Sequence, residues 1–126
     1  MSRVKIDLEF IFKASPTIVY QFLTDPTCLV RWFCEEADVN SDIYTFTWDG
    51  YDQVAEVLDD IEEERLRLKW LDSDDEDEYL EFRIYKSDVT YETILEITDF
   101  CDDDDVKSTR DVWKNQIDQL KVECGG

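Results

Sequence analysis

The chain contains no histidine. That absence removes the usual general base near neutral pH, the Ser-His and Cys-His nucleophile pairs, and the commonest transition-metal ligand. No apolar run approaches the roughly 18 residues of a membrane-spanning helix. The early apolar residues alternate with charges instead of forming a signal-peptide core. Cys28, Cys34, Cys101 and Cys124 show no close Cys-x-x-Cys spacing, and each neighbours apolar positions. Buried free thiols in a cytoplasmic protein are the favoured reading, ahead of disulfides or a metal site. Cations are scarce as well: 13 basic residues face 33 acidic ones, for a net charge of −20. Such a field repels phosphate backbones and anionic headgroups, so no nucleic-acid or membrane-surface partner is expected; it suits a basic protein partner.

Two acidic runs carry much of that charge, Asp72 to Glu78 and Asp102 to Asp105. Carboxylates in series raise the question of a divalent cation, but neither run has the glycine that a calcium loop needs for its sharp turn. Solvated turns are the favoured reading, with helix capping added for the second run. No metal or cofactor is implied.

What is present is the material of a core. Hydrophobic residues make up 43% of the 126, with 7 Phe, 6 Tyr and 4 Trp, enough for one domain spanning residues 1–126. No internal repeat or linker interrupts it. The organising segment is the last, roughly Asp103 to Cys124. Val106, Trp113, Ile117, Leu120 and Cys124 follow one another at intervals of seven, four, three and four, which stacks them on one side of a helix. Asp102 to Asp105 stand where a helix start favours capping oxygens and negative charge. Gly125-Gly126 supply a stop, a cheaper account of that tail than a conjugated diglycine terminus.

Nearly everything before that helix has the period of a strand. Arg3 to Phe12 sets Val4, Ile6, Leu8, Phe10 and Phe12 against Lys5, Asp7 and Glu9. Ser15-Pro16 opens a short helix burying Val19, Phe22 and Leu23, and Thr24-Asp25-Pro26 opens a second that carries Leu29 and ends near Trp32-Phe33. Ile43 to Trp48 places Tyr44, Phe46 and Trp48 on one face. Asp49-Gly50 predicts a two-residue hairpin turn. The return strand, about Tyr51 to Asp60, carries Val54, Leu58 and Ile61; after a turn at Glu62-Glu63-Glu64, Arg65 to Leu71 sets Leu66, Leu68 and Trp70 against Arg65, Arg67 and Lys69. Leu80, Phe82 and Ile84 point inward from Tyr79–Tyr85, as do Leu95 and Ile97 from Thr93–Phe100. Strands in sequence with helices set apart predict an α+β fold. In it a curved antiparallel sheet of six to seven strands closes around a long C-terminal helix, with two short helices after the first strand.

The run from Phe10 to Pro26, with Ala14-Ser15-Pro16, Val19-Tyr20 and Leu23-Thr24-Asp25-Pro26, followed by Arg31-Trp32-Phe33, resembles the START-like (SRPBCC) superfamily. Within it, the run resembles specifically the homologues of the activator of the heat-shock-protein ATPase. Leu66 to Trp70, Glu92 to Ile97, and Trp113 with Leu120 fit the same pattern. The resemblance implies a helix-grip fold with a cavity between helix and sheet that holds small apolar ligands in relatives. Its motifs are structural punctuation, so they are specific for fold rather than activity.

Trp32, Phe33, Tyr44, Phe46, Trp48, Trp70, Phe82, Trp113 and Ile117 are the candidates for lining such a cavity, since pockets are mostly apolar and aromatic. The same rings equally suit a filled core, which is favoured for each residue taken singly. Tyr44, Arg83 and Tyr85 would supply polar groups if they point inward. Arg31 is either an anion anchor beside Trp32 or, preferentially, the ion-pair partner of Glu35 or Glu36. No nucleophile–base pair is visible, so catalysis is not expected. Two functions remain: a binder of a small hydrophobic ligand, or a protein-interaction module like the ATPase activators.

Overall fold

A computed structural model describes residues 2–126. Its seven strands are β1 (Arg3–Phe12), β2 (Glu36–Asn40), β3 (Ile43–Trp48), β4 (Tyr51–Ile61), β5 (Arg65–Trp70), β6 (Leu80–Lys86) and β7 (Thr93–Asp102). They form one curved sheet, antiparallel throughout, in the order β1-β7-β6-β5-β4-β3-β2. Helices α1 (Pro16–Thr24) and α2 (Pro26–Leu29) follow the first strand, and α3 (Val106–Cys124) closes the chain across the concave face. This is the α+β helix-grip arrangement expected of the residue pattern. Among the described residues, no helix is long and apolar enough to cross a membrane.

Alternation explains the sheet. Along β1 the even-numbered residues turn inward, with Ile6 and Phe12 buried, while Lys5, Asp7, Glu9 and Ile11 stay exposed. Tyr44 and Phe46 of β3, Leu66 and Leu68 of β5, Leu80, Phe82 and Ile84 of β6, and Leu95 and Ile97 of β7 complete the inner face. From α3, Trp113, Ile117 and Leu120 are set against it. Ile117 and Leu120 are fully buried, each contributing on the order of 1.5–3 kcal/mol of apolar burial.

The ends of the elements follow local chemistry. The Ser15 hydroxyl accepts the Ile18 N–H at 3.3 Å, and the Asp25 carboxylate accepts the Thr27 N–H at 2.9 Å, so each short helix has its capping oxygen. Asp49 (φ 49°) and Gly50 (φ 80°) form a hairpin turn with both central residues left-handed, closed by the Trp48–Tyr51 pair. Gly125 ends α3 in the left-handed region at φ 89°, and the Gly126 N–H returns to the Lys121 carbonyl at 2.7 Å. All four cysteines are free thiols.

Three local expectations are corrected. The second short helix ends at Leu29, and residues 30–33 continue as turns instead of carrying it to Trp32-Phe33. In β4 the register slips between Val57 and Asp59, where Leu58 is the extra residue of a bulge. Ahead of the bulge Ala55, opposite Tyr44, and Val57, opposite Leu68, face the core, while Val54 lies opposite Thr45 on the outer face; Leu58 and Ile61 are turned out, 47% and 37% exposed. At the last helix, Asp103–Asp105 form a separate 3-10 turn and α3 begins at Val106. Neither start receives a side-chain cap from an aspartate; the Ser108 hydroxyl instead donates to the Asp105 carbonyl at 3.0 Å. The carboxylates act there through charge next to the helix N-terminus, not through capping bonds.

Candidate functional site

The aromatic residues converge on Phe33, which the turn after α2 drives under α3. Its ring stacks on Trp113 at 6.0 Å and 23° between planes. It meets Phe46 and Trp48 edge-on at 5.0 and 5.2 Å, and Trp32 lies against it at 5.1 Å. Edge and stacked contacts of this kind are the favourable geometries of aromatic quadrupoles. The Phe33 carbonyl accepts two more links, from the Trp48 indole at 2.7 Å and from the Gln116 amide at 3.3 Å. Trp32 donates to the Phe22 carbonyl at 2.8 Å. One residue thus ties β3, α2 and α3 together.

Packing this dense fills the middle of the grip. Trp32, Tyr44, Phe46, Phe82 and Ile117 lie in the packed core. Phe33, Trp48, Trp70 and Trp113, by contrast, reach two adjoining clefts at the end of the molecule where α3 begins. The larger cleft, about 730 Å³, runs beneath the acidic loop between β5 and β6, with Trp70 and Tyr79 among its walls. The smaller, about 450 Å³, is walled by Phe33, Trp48, Val112 and Trp113. Asp99 and Thr109 line both. Three of the four indoles donate to a protein acceptor; among the described residues, Trp70 has no such partner for its N–H. No buried side-chain nitrogen or oxygen is left unpaired, so that N–H meets solvent.

Asp99 is the polar group at the junction. It occupies an inward position of β7, in step with Leu95 and Ile97. Its carboxylate accepts the Trp113 indole N–H at 2.9 Å and the Phe100 N–H at 2.8 Å. Burial pushes its pKa up from the ordinary value; those two bonds and the charge of Arg3 act the other way. Among the described residues, Arg3 is the one cation lining the larger cleft. Its guanidinium grips Glu78 through two bonds, at 2.6 and 2.9 Å, and reaches Asp102 at 3.2 Å, so it staples one acidic run to the other. These partners hold Arg3 well above its usual range.

The remaining candidates fall elsewhere. Tyr44 is inward, its phenol pushed up to about 12 chiefly by burial. Arg83 and Tyr85 are on the outer face, where the Tyr85 hydroxyl donates to Glu96 at 2.6 Å and Arg83 lies 3.7 Å from Glu81. They cannot serve the interior, because strand alternation gives that face to Phe82 and Ile84. Arg31 is exposed and makes no ion pair with Glu35 or Glu36 among the described residues; the Asp25 carboxyl is held below the usual carboxylate pKa chiefly by its hydrogen bonds from Thr27, with the charge of Arg31 a smaller contribution. Sequence reasoning missed Arg3 and Asp99. Asp99 had a signal, a carboxylate at an inward position of an alternating strand. Arg3 had none, since its partners lie 75 and 99 residues away.

The family model for the START-like superfamily domain matches residues 1–126. No curated protein matches the chain. Among solved structures, the solution structure of BfR322 from Bacteroides fragilis is 28% identical, with 98% of this chain and 93% of that chain covered and a TM-score of 0.69. The Aha1 dimer from Colwellia psychrerythraea is similar at 18% identity, 96% coverage of each chain and a TM-score of 0.81. CalU16 from Micromonospora echinospora is similar at 22% identity, covering 93% of this chain and 71% of that one, with a TM-score of 0.71. The latter two are likenesses of fold alone. With the model matched along the whole chain and the helix-grip topology in place, the protein belongs to the START-like superfamily.

Proposed function

We propose that this START-like domain is a non-catalytic binder of a small, largely apolar molecule, held where the clefts open between α3 and the sheet. The observation that carries the reading is the set of four aromatic side chains, Phe33, Trp48, Trp70 and Trp113, left facing about 450 and 730 Å³ of concave space beside a partly buried carboxylate. Ligand sites combine an apolar wall with a few polar groups in a volume of roughly 300–1,000 Å³. The seat differs from a closed chamber at the centre of the grip: Trp32, Tyr44, Phe46, Phe82 and Ile117 support its walls from behind. Native mass spectrometry of the protein purified from its own host tests the reading. A bound mass that native conditions retain and denaturation releases supports it; a clean unliganded species, with no quenching of tryptophan emission by added apolar compounds, overturns it.

A second reading is an interaction module resembling the heat-shock-ATPase activators. It is favoured by the fold likeness to the Aha1 dimer and by the net charge of −20, which suits a basic protein surface. Its signature is association with a basic protein that weakens steeply with salt, because exposed charges are screened. Salt-insensitive association argues against it.

A further inference from the structure

Resting on the ligand-binding reading, we infer that the molecule taken by the larger cleft is an organic cation: a flat apolar body carrying an ammonium or amidinium group. The cleft is a concavity of about 730 Å³ whose wall includes Trp70, Tyr79 and Phe100, and a ring on the ligand has a surface to lie on. Of its three rings, Tyr79 already carries the Arg67 guanidinium 4.3 Å from its centroid and Phe100 packs edge-to-face with Tyr79 at 5.3 Å, which leaves Trp70 as the open one. Trp70 is half-buried against Phe46 and Trp48 at 5.7 and 6.4 Å, so its position is held by packing. An indole face is the strongest of the side-chain partners for a cation.

The charge around that ring selects the sign of the ligand. Asp72, Asp74, Asp75, Glu78, Asp99 and Asp102 line the cleft, with Arg3 as their one cation among the described residues. Arg3 is committed to Glu78 and Asp102. Among the described residues, Asp72, Asp74, Asp75 and Asp99 make no ion pair; the Lys69 ammonium reaches only the Asp75 backbone carbonyl, at 3.1 Å. A carboxylate-bearing ligand would meet uncompensated like charge there, whereas an ammonium would find counter-charge above an aromatic floor. Asp99, at the junction with the apolar cleft, is where head and body of such a ligand divide.

Three probes sharing one ring test this: 2-naphthylmethylammonium, 2-naphthylmethanol and 2-naphthoate, each titrated at low ionic strength. Binding is followed by calorimetry, with the indole N–H resonances as the local reporter. The ammonium is expected to bind about tenfold more tightly than the alcohol, with naphthoate weakest, and to shift the Trp70 resonance. Methylammonium at the same concentration is expected to leave that resonance in place. Asp99→Asn should bring the ammonium toward the alcohol; the loop variant D74N/D75N, on exposed residues, should do so in part and guards against a folding effect at Asp99. Trp70→Ala should weaken ammonium and alcohol together. Equal binding of ammonium and alcohol with a Trp70 shift, or tightest binding of naphthoate, overturns the cation assignment and leaves the ligand-binding reading standing. Ammonium binding that moves no indole resonance reduces the effect to surface charge and overturns the assignment. If none of the three binds, the cleft is no ligand seat and both readings fall.

Discussion

Trp113 donates its indole N–H to the Asp99 carboxylate across 2.9 Å, joining the middle of α3 to an inward position of β7. The same indole stacks on Phe33 and receives the edge of Phe82 at 5.8 Å, so packing and hydrogen bonding fix it together. Trp113→Phe keeps a ring but removes the donor, leaving a largely buried carboxylate with the Phe100 N–H alone. The expected loss is about 2–4 kcal/mol, from the smaller side chain and the weakened satisfaction of Asp99. Urea denaturation measures it. A loss below about 1 kcal/mol would mean the bond and the stacking carry little weight in the grip.

Asp99 also makes stability depend on pH in an unusual direction. Burial raises its pKa above the ordinary 3.8, with Glu78 adding to the effect and Trp113, Phe100 and Arg3 opposing it. Between the unfolded and folded values the native state holds the extra proton, so stability falls as pH rises through that window. The remaining carboxylates obscure this in the parent alone. The stability of the parent relative to Asp99→Asn should therefore decline upward from about pH 4 and then level off. A difference that rises over the same range would contradict the assignment.

Arg3 holds the loop between β5 and β6 in place. Replacing it with Met keeps a long apolar stem but frees Glu78, whose side chain is only 10% exposed, and Asp102. Because Arg3 itself is 48% exposed, solvent screens the pair, and a loss of about 1 kcal/mol is expected. The clearer readout is local: amide exchange over residues 72–79 should quicken while the core of β6 is unchanged. Unaltered exchange in the loop would show that its own turns hold it.

The hairpin between β3 and β4 offers a backbone test. A Cβ at Gly50 meets nothing within 4 Å, so Gly50→Ala carries only the cost of φ 80°. That is about 1 kcal/mol of lost stability by chemical denaturation. Asp49→Gly, at φ 49°, should be nearly neutral, since the relieved backbone strain is offset by greater freedom in the unfolded chain. A large loss there would point to a side-chain role for Asp49.

Which side β1, β3, β5, β6 and β7 turn inward was legible in the residues alone, because a period of two has one solution wherever one face is apolar. Arg3–Phe12, Ile43–Trp48 and Leu80–Lys86 show that alternation, and Asp49-Gly50 marks its turn without help from distant residues. The last helix was equally readable: Trp113, Ile117 and Leu120 share a face by spacing, and Gly125 ends it through its own dihedral. The motif around Ser15-Pro16 and Leu23 to Pro26 carried the superfamily for the same reason, as local punctuation that survives without its surroundings.

What the spacing left open was where space remains. Nine aromatic and aliphatic positions were equivalent candidates, and three-dimensional packing divided them: Trp32, Tyr44, Phe46, Phe82 and Ile117 fill the centre, and Phe33, Trp48, Trp70 and Trp113 reach the clefts near the start of α3. The bulge at Leu58 was hidden too, since one inserted residue inverts the facing of all that follow without altering composition. The bond between Asp99 and Trp113 and the staple from Arg3 to Glu78 and Asp102 join residues far apart in sequence. Periodicity reports only on neighbours within a few residues. Which side chains meet across the sheet, and which carboxylates go without a cation, is decided when the chain closes on itself.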